Sequence, residues 1–456
     1  MPKRNVVILV ASLFACLIAW AARERGGHGH RFGELMTAIE RHYVHEIDAE
    51  QLFTAAATAA VAGLDEHSAY LQASERADLE ATLDQAFAGV GLELSLDPVS
   101  RQPIVVAPVF PGPGWRAGLE PGDRILAVDG IPIAGRPLRQ VVGMLRGPID
   151  TPVQLLVASA ERNRPTLDPS VQPADEPREL TLIRELVEVE TVQGDRRGED
   201  GRWQWLLEGD ERLAYLRIES FGERTAEEFA AAVDQIAAVP DLEGVILDLR
   251  GNPGGLVRSA VAVCDSLLAD GPIVETRSAR GGMGDAVAVD IRRATPPAAL
   301  VGVPLTVLVD GLTASAAEIV AACLQDAGRA TVVGGRTFGK GTVQSLIPLS
   351  DGRGLLKLTT AEYFRPNKKS IHRGAADGDD APWGVQPDPG CEVTPTAEAV
   401  DRVREWRRGR TIPPRPGQTG TAAAGQHRLP REIDAVLARG IEVTRAGQSD
   451  RSLESE

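Results

Sequence analysis

The chain has little histidine, lysine, cysteine or aromatic side chain, and each shortage excludes a class of chemistry. Histidine occurs seven times in 456 residues, and between residues 187 and 400 only as His372. The usual proton acceptor of a catalytic serine is therefore nearly missing from that region. The four cysteines, Cys16, Cys264, Cys323 and Cys391, show neither metal-ligand spacing nor a disulfide framework. No zinc site is expected from them. A net charge of −15 leaves no basic excess for a nucleic-acid partner, and no block of consecutive acids stands out. Lysine is the sharpest shortage. Lys3, Lys340, Lys357, Lys368 and Lys369 are the only lysines, and the other 44 basic residues are arginine. Guanidinium does not give up its proton in a protein, whereas a lysine amine can be made neutral by burial. Codon bias would leave the same five residues, so the count is a pointer and no more.

What is present begins with Lys3 and Arg4 ahead of an apolar run at residues 6–22. Its length is at the lower edge of a membrane span and slightly long for the apolar part of a signal peptide. Ala19-Trp20-Ala21 offers a small-x-small cleavage site, and Leu13-Phe14-Ala15-Cys16 loosely matches a lipoprotein box. An uncleaved anchor, a cleaved signal and a lipoprotein all remain open within residues 1–25. All three place the body on the extracytoplasmic, periplasmic side of the membrane, in the cell envelope.

Four further regions follow. Residues 31–80 carry Phe32, Leu35, Ile39 and Tyr43 at helical spacing, and an alanine-rich stretch at 54–62. They end in the turn residues of 63–68, where no catalytic group stands out. Residues 83–186 change to short β-like runs at 90–94, 104–107, 125–128 and 180–183, separated by Gly/Pro turns and a long polar loop at 160–178. Residues 187–400 alternate strands (213–218, 244–249, 305–309, 330–333) with helical patterns (225–238, 256–270, 314–327), as an α/β domain does. Residues 401–456 read as a flexible tail, with a linker at 413–425 and one short amphipathic helix at 430–443.

The chemistry concentrates in residues 244–344. Ser315 lies in Thr313-Ala314-Ser315-Ala316-Ala317-Glu318 at a strand-to-helix junction, and Lys340 follows 25 residues later. A serine there sits near free N–H donors and the positive end of the helix dipole. Ser315-x-x-Glu318 is also a plain capping box, so the serine has a structural alternative. The turn Arg250-Gly251-Asn252-Pro253-Gly254-Gly255 presents bare backbone N–H groups, or simply turns tightly. Gly334-Gly335-Arg336-Thr337-Phe338-Gly339-Lys340 begins like a phosphate-binding loop. Gly341 replaces the required Ser/Thr, and residues 342–346 look like a strand where a helix should open. No nucleotide or other cofactor is expected. With histidine scarce, a Ser-Lys dyad is the consistent acyl-transfer arrangement.

Two resemblances organise these residues. Pro111-Gly112-Pro113-Gly114-Trp115-Arg116-Ala117-Gly118-Leu119, followed by Pro121-Gly122-Asp123-Arg124-Ile125, closely resembles a PDZ domain, and Ala88-Gly89-Val90-Gly91-Leu92 matches its carboxylate-binding loop. The resemblance implies that Gly89, Val90, Gly91 and Leu92 receive a peptide C-terminus, while the adjacent strand edge pairs with the peptide. Leu64-Asp65-Glu66-His67-Ser68, the PDZ pattern, residues 247–255, 314–318 and 338–344 in that order resemble the C-terminal processing peptidase (tail-specific protease) family over residues 31–400. That family implies an α/β multi-domain fold: a protease core, an inserted β-rich PDZ domain and a helical N-terminal segment. It implies a serine endopeptidase with Ser315 as nucleophile, Lys340 as general base and Gln344 orienting the lysine. The backbone N–H groups of Ala316, Gly254 and Gly255 would form the oxyanion hole. Asp310 stands where the family often has Asn, and the 160–178 insertion is longer than usual. The dyad requires burial to lower the lysine pKa from about 10.4 to roughly 7–8. The expected partners are proteins or peptides with accessible C-termini and, through residues 6–22, the membrane. The N-terminal helices and tail are candidates for a homodimer contact, and no adaptor is identified. The alternative is a PDZ scaffold that binds tails without cutting them.

Overall fold

The computed structural model describes residues 27–98, 100–159, 177–279, 287–349, 354–374, 378, 381–413 and 430–454. The apolar run at 6–22, nearly all of the polar loop at 160–178 and the linker beyond residue 413 lie outside them. Among the described residues no helix is long and apolar enough to cross a membrane. Contacts divide the chain into two compact units, residues 1–76 with 344–359 and residues 77–343 with 360–456.

The first unit holds the helices Gly27–His42 and Ala49–Ala62. Asp48 starts the second by accepting the Glu50 and Gln51 N–H groups. The segment read as helical over residues 31–80 turns at 63–68 as expected, and the structure then inserts the strand Ala69–Gln72. The reason is local. Asp65 Oδ1 accepts the N–H groups of His67 and Ser68, both at 2.8 Å, and this side-chain turn redirects the chain. The strand then pairs antiparallel with Gly354–Lys357, in the register Ala69 opposite Lys357.

The second unit is built on a sheet in the order Val192–Gln193, Asp210–Ile218, Gly244–Asp248, Leu305–Val309, Thr331–Gly334, with its last four strands parallel. Gly244–Asp248 and Leu305–Val309 are buried along their whole length, as central parallel strands must be. Ala214, Leu216, Val245, Leu247, Val307 and Val309 pack under the helices Thr225–Ala237, Val257–Leu267 and Ala316–Asp326. The alternate residues Leu213, Tyr215, Ile246 and Leu308 point to the other face, where they meet Val436, Leu437 and Ile441.

That second face corrects the expectation for the tail. The predicted short helix runs over Ala435–Glu454, and its residues Val436, Leu437 and Ile441 are packed into the core. Gly440 lets it approach, since a Cβ there would lie 2.8 Å from Leu308 Cδ2. Thr444 and Thr306 share a buried hydroxyl hydrogen bond at 2.7 Å. Composition alone could not show this, because the uncovered sheet face that receives the helix lies more than a hundred residues upstream.

Within the same unit, an antiparallel sheet in the order Leu92–Leu96, Pro103–Pro108, Arg124–Val128, Pro152–Ala158, Arg178–Ile183 forms the PDZ-like region. Its separate core gathers Val105, Leu119, Ile125, Val128, Val141, Leu145 and Val157. The strand predicted over 90–94 is broken by Gly91 at φ 68°. Ala86–Gly89 pairs with Glu185–Glu188, and Leu92–Leu96 becomes an edge strand facing the helix Leu138–Leu145.

Candidate functional site

Three loops meet at the C-terminal ends of the parallel strands. One leaves Gly244–Asp248 through residues 249–255, one leaves Leu305–Val309 through 310–315, and one leaves Thr331–Gly334 through 335–341. In open parallel sheets this is the edge where ligands bind. Backbone hydrogen bonds lace the loops together. The Ala314 N–H donates to the Asn252 carbonyl at 2.9 Å, and the Phe338 N–H donates to the Thr313 carbonyl at 3.0 Å. Thr313 Oγ1 donates to the Leu249 carbonyl at 2.9 Å.

Ser315 precedes the first turn of Ala316–Asp326 and is 7% exposed. Its φ of 56° and ψ of −118° place a non-glycine residue in a region that costs on the order of 1–3 kcal/mol. The surrounding bonds hold it there. Its N–H donates to Glu318 Oε2 at 2.8 Å, so the glutamate half of the predicted capping box is made.

The same carboxylate reaches further. Lys340 N–H donates to Glu318 Oε2, also at 2.8 Å, while Gly339 N–H and the Thr337 hydroxyl donate to Oε1 at 2.7 and 2.6 Å. The amides of Ser315 and Lys340 therefore lie no more than twice 2.8 Å apart, joined through one oxygen. Burial pushes the Glu318 carboxyl upward, against the pull of these four donors. From the sequence Glu318 reads only as a helix cap. Its other partners lie 19 to 22 residues away, and no local pattern announces them.

Gly254 lies directly against the serine. A Cβ there would come within 2.8 Å of Ser315 Cβ and the Ala314 carbonyl, and 3.0 Å of Ala316 N. Its own N–H, however, donates to Asn252 Oδ1 at 2.8 Å. Gly254 thus serves the site by lacking a side chain, and the expectation of a free oxyanion donor there changes. Among the described residues the Gly255 and Ala316 N–H groups meet no acceptor. Asn252 is itself anchored, donating to the Ile218 carbonyl at 2.8 Å.

Two sequence oddities have physical explanations. Asp310 Oδ1 accepts from the Gly251 N–H and the Leu312 N–H at 2.9 and 3.0 Å, and lies 3.2 Å from Thr313 Oγ1. Asparagine has the same atom, so the departure keeps the loop. Gly341 interrupts the phosphate-loop pattern because a Cβ there would lie 2.7 Å from His372 Cα. Thr342–Pro348 is then a strand, which removes the helix a phosphate would need.

Behind the first loop lies a charged cluster. Asp248 is fully buried, receives the Tyr215 hydroxyl at 2.6 Å, and pairs with Arg250, Arg407 and Arg217 at 2.7, 3.1 and 3.4 Å. Burial opposes its ionisation, but Arg250, Arg407 and Arg217 hold its carboxyl far below the usual range. Arg250 also forks onto Asp434 at 2.8 and 2.7 Å.

In the PDZ-like region, residues 89–92 are clasped by the segment that follows the next strand. The Val109 N–H donates to the Gly91 carbonyl at 3.0 Å and the Gly114 N–H to the Val90 carbonyl at 2.8 Å. Gln344 belongs to the other unit, where its carboxamide donates to Thr359 Oγ1 at 3.1 Å.

Two family patterns agree with this architecture. The pattern of peptidase family S41 matches residues 212–389, and that of a PDZ domain matches residues 105–159. A carboxy-terminal-processing protease of Bartonella bacilliformis is 34% identical over 380 residues, covering 81% of this chain and 80% of the relative. A carboxyl-terminal-processing protease of Synechocystis is 35% identical over 314 residues, covering 69% and 67%. The solved structure of a photosystem II D1 C-terminal processing protease is 27% identical, with a TM-score of 0.44 over 87% of this chain and 96% of that one. The chain therefore belongs to peptidase family S41, among the carboxy-terminal processing proteases, and it carries the PDZ domain of that family.

Proposed function

We propose that the chain is an exported serine endopeptidase that takes protein C-terminal tails through its PDZ domain and cuts with a Ser315–Lys340 dyad. The observation that carries the reading is the single Glu318 carboxylate, which holds the backbones of nucleophile and base together. The neutral Lys340 amine takes the proton of Ser315 Oγ as that oxygen attacks the scissile carbonyl. The Ala316 and Gly255 N–H groups receive the oxyanion, at the positive end of the Ala316–Asp326 helix. The protonated lysine returns its proton to the leaving amine, and water then releases the acyl group from Ser315. Gln344, four residues beyond Lys340, orients the amine.

Tail capture follows from the edge strand Leu92–Leu96 beside the clasped loop 89–92. An extended peptide would add to the strand while its carboxylate meets the loop's N–H groups. Export rests on the apolar run at residues 6–22 behind two positive charges, as either an anchor or a cleaved signal in the cell envelope.

The test is cleavage of an unfolded reporter ending in an apolar tail by the full-length chain. The Ser315→Ala and Lys340→Arg variants should stay folded and lose activity by at least about a thousandfold. Activity retained by Lys340→Arg would sink the dyad, since a guanidinium cannot serve as the base. Tail binding by the parent without any cleavage would favour the scaffold instead.

A further inference from the structure

A polar network inside the first unit gives the turn at residues 65–68 a role that the sequence does not suggest. Thr359 Oγ1 lies 3.1 Å from Gln344 Nε2 and 3.2 Å from Asp65 Oδ1. Ser68 Oγ donates to Asp65 Oδ2 at 2.8 Å and accepts the Thr359 N–H at 3.0 Å. Asp65 and Thr359 are 294 residues apart, brought together by the pairing of Ala69–Gln72 with Gly354–Lys357.

The direction of each bond follows from chemistry. An ionised carboxylate only accepts. Burial pushes the Asp65 carboxyl upward, but the hydrogen bonds from Ser68, His67 and Thr359 hold it below its ordinary value, and it stays ionised. A hydroxyl has one proton. That of Ser68 goes to Asp65, and that of Thr359 must also go to Asp65. Toward Gln344 the Thr359 oxygen can then only accept, so the amide must present its NH2 group to Thr359. Its carbonyl oxygen is the end turned away.

We propose that Asp65, acting through Thr359, sets the orientation of the Gln344 carboxamide, making Asp65, Ser68 and Thr359 positioning residues for the lysine base. The inference rests on the reading of Gln344 given above. In that reading the orientation decides the outcome. An amide oxygen accepts an amine N–H and leaves the nitrogen lone pair available for the serine proton. An inverted amide would donate to that lone pair and occupy it. It would also disfavour the ammonium, which has no lone pair to accept the bond.

The test is a double-mutant cycle on the full-length chain with the tailed reporter. Thr359→Val removes the hydroxyl and keeps the branched shape. It should lower kcat about tenfold with KM unchanged, within the range for directly coupled groups. The acid limb of its pH–rate profile should move to lower pH, since the amine now holds its proton less well. Thr359→Ser keeps the hydroxyl and should restore kcat to within about twofold. In a Gln344→Ala background, Thr359→Val should cost nothing further. Losses that multiply across the two sites, or a drop in kcat with an unmoved acid limb, would overturn the inference while leaving the role of Gln344 intact. Full activity in Gln344→Ala would instead overturn the underlying reading and this inference with it. Should Thr359→Val not fold, Thr359→Ala asks less of the packing and repeats the cycle.

Discussion

Glu318 and Asp248 are both fully buried carboxylates beside the C-terminal ends of the parallel strands, and they are satisfied in opposite ways. Asp248 is surrounded by the guanidinium groups of Arg217, Arg250 and Arg407. Glu318 receives three backbone N–H groups and one hydroxyl. The first arrangement balances charge and ties distant segments of the fold together. The second spends a carboxylate on fixing where two particular backbone atoms sit. A charged group at the heart of a site can thus be structural through its charge or positional through its lone pairs, and substitutions separate the two cases.

Breaking Glu318 should have the largest effect. Glu318→Gln keeps the shape but turns an NH2 group either toward the Ser315 and Lys340 N–H groups or toward the Gly339 N–H and the Thr337 hydroxyl. Each orphaned donor costs about 1–3 kcal/mol, and the carboxamide's own donor adds repulsion. We expect kcat for the tailed reporter to fall at least about a hundredfold, because a misplacement of about 1 Å at a reacting group costs that much. A folded Glu318→Gln protein within about threefold of the parent would show that the four donors do not position the proposed dyad.

The second substitution tests the charge-balanced partner. Asp434→Asn removes one member of the cluster and leaves Arg250 short of a fork. Breaking a buried ion pair from one side costs about 3 kcal/mol. Burial opposes ionisation of Asp434, but Arg250 and Arg407 hold its carboxyl below the usual range. A depressed folded pKa contributes stability that is complete above the ordinary carboxylate value and is lost as the pH falls through and below it. The gap between parent and Asp434→Asn in urea unfolding should therefore be widest near pH 7 and should narrow from about pH 5 downward. A gap that stays constant with pH would mean that the asparagine acts through packing and not through charge.

How far these two regions were legible in the sequence follows the same division. The parallel strands announced themselves as continuous apolar runs, and Ser315 as a residue at a strand-to-helix junction, because both signals lie within a few neighbouring residues. The short strands of the PDZ-like region were legible for the same reason, although the break at Gly91 was not. Glu318 was visible only as the local half of its role. Asp65 was unreadable, since its partner Thr359 lies 294 residues further along the chain, with residues 77–343 of the second unit between them. The final helix was misjudged because its apolar residues match a sheet face that the tail's own composition cannot describe.

Asp310 gives the smallest expected effect and the finest cut between charge and lone pair. The Gly251 and Leu312 N–H groups both donate to its Oδ1. If the oxygen alone matters, Asp310→Asn should leave stability within about 0.5 kcal/mol of the parent and reporter cleavage within about twofold. Asp310→Ala should not be so mild. It releases the Gly251 N–H and the Leu312 N–H together, with a cost of about 1–3 kcal/mol and a looser seam between the two loops that carry the serine and its glycines. Equal losses in the two variants would show that Asp310 acts by charge after all, and would move it from the company of Glu318 to that of Asp248.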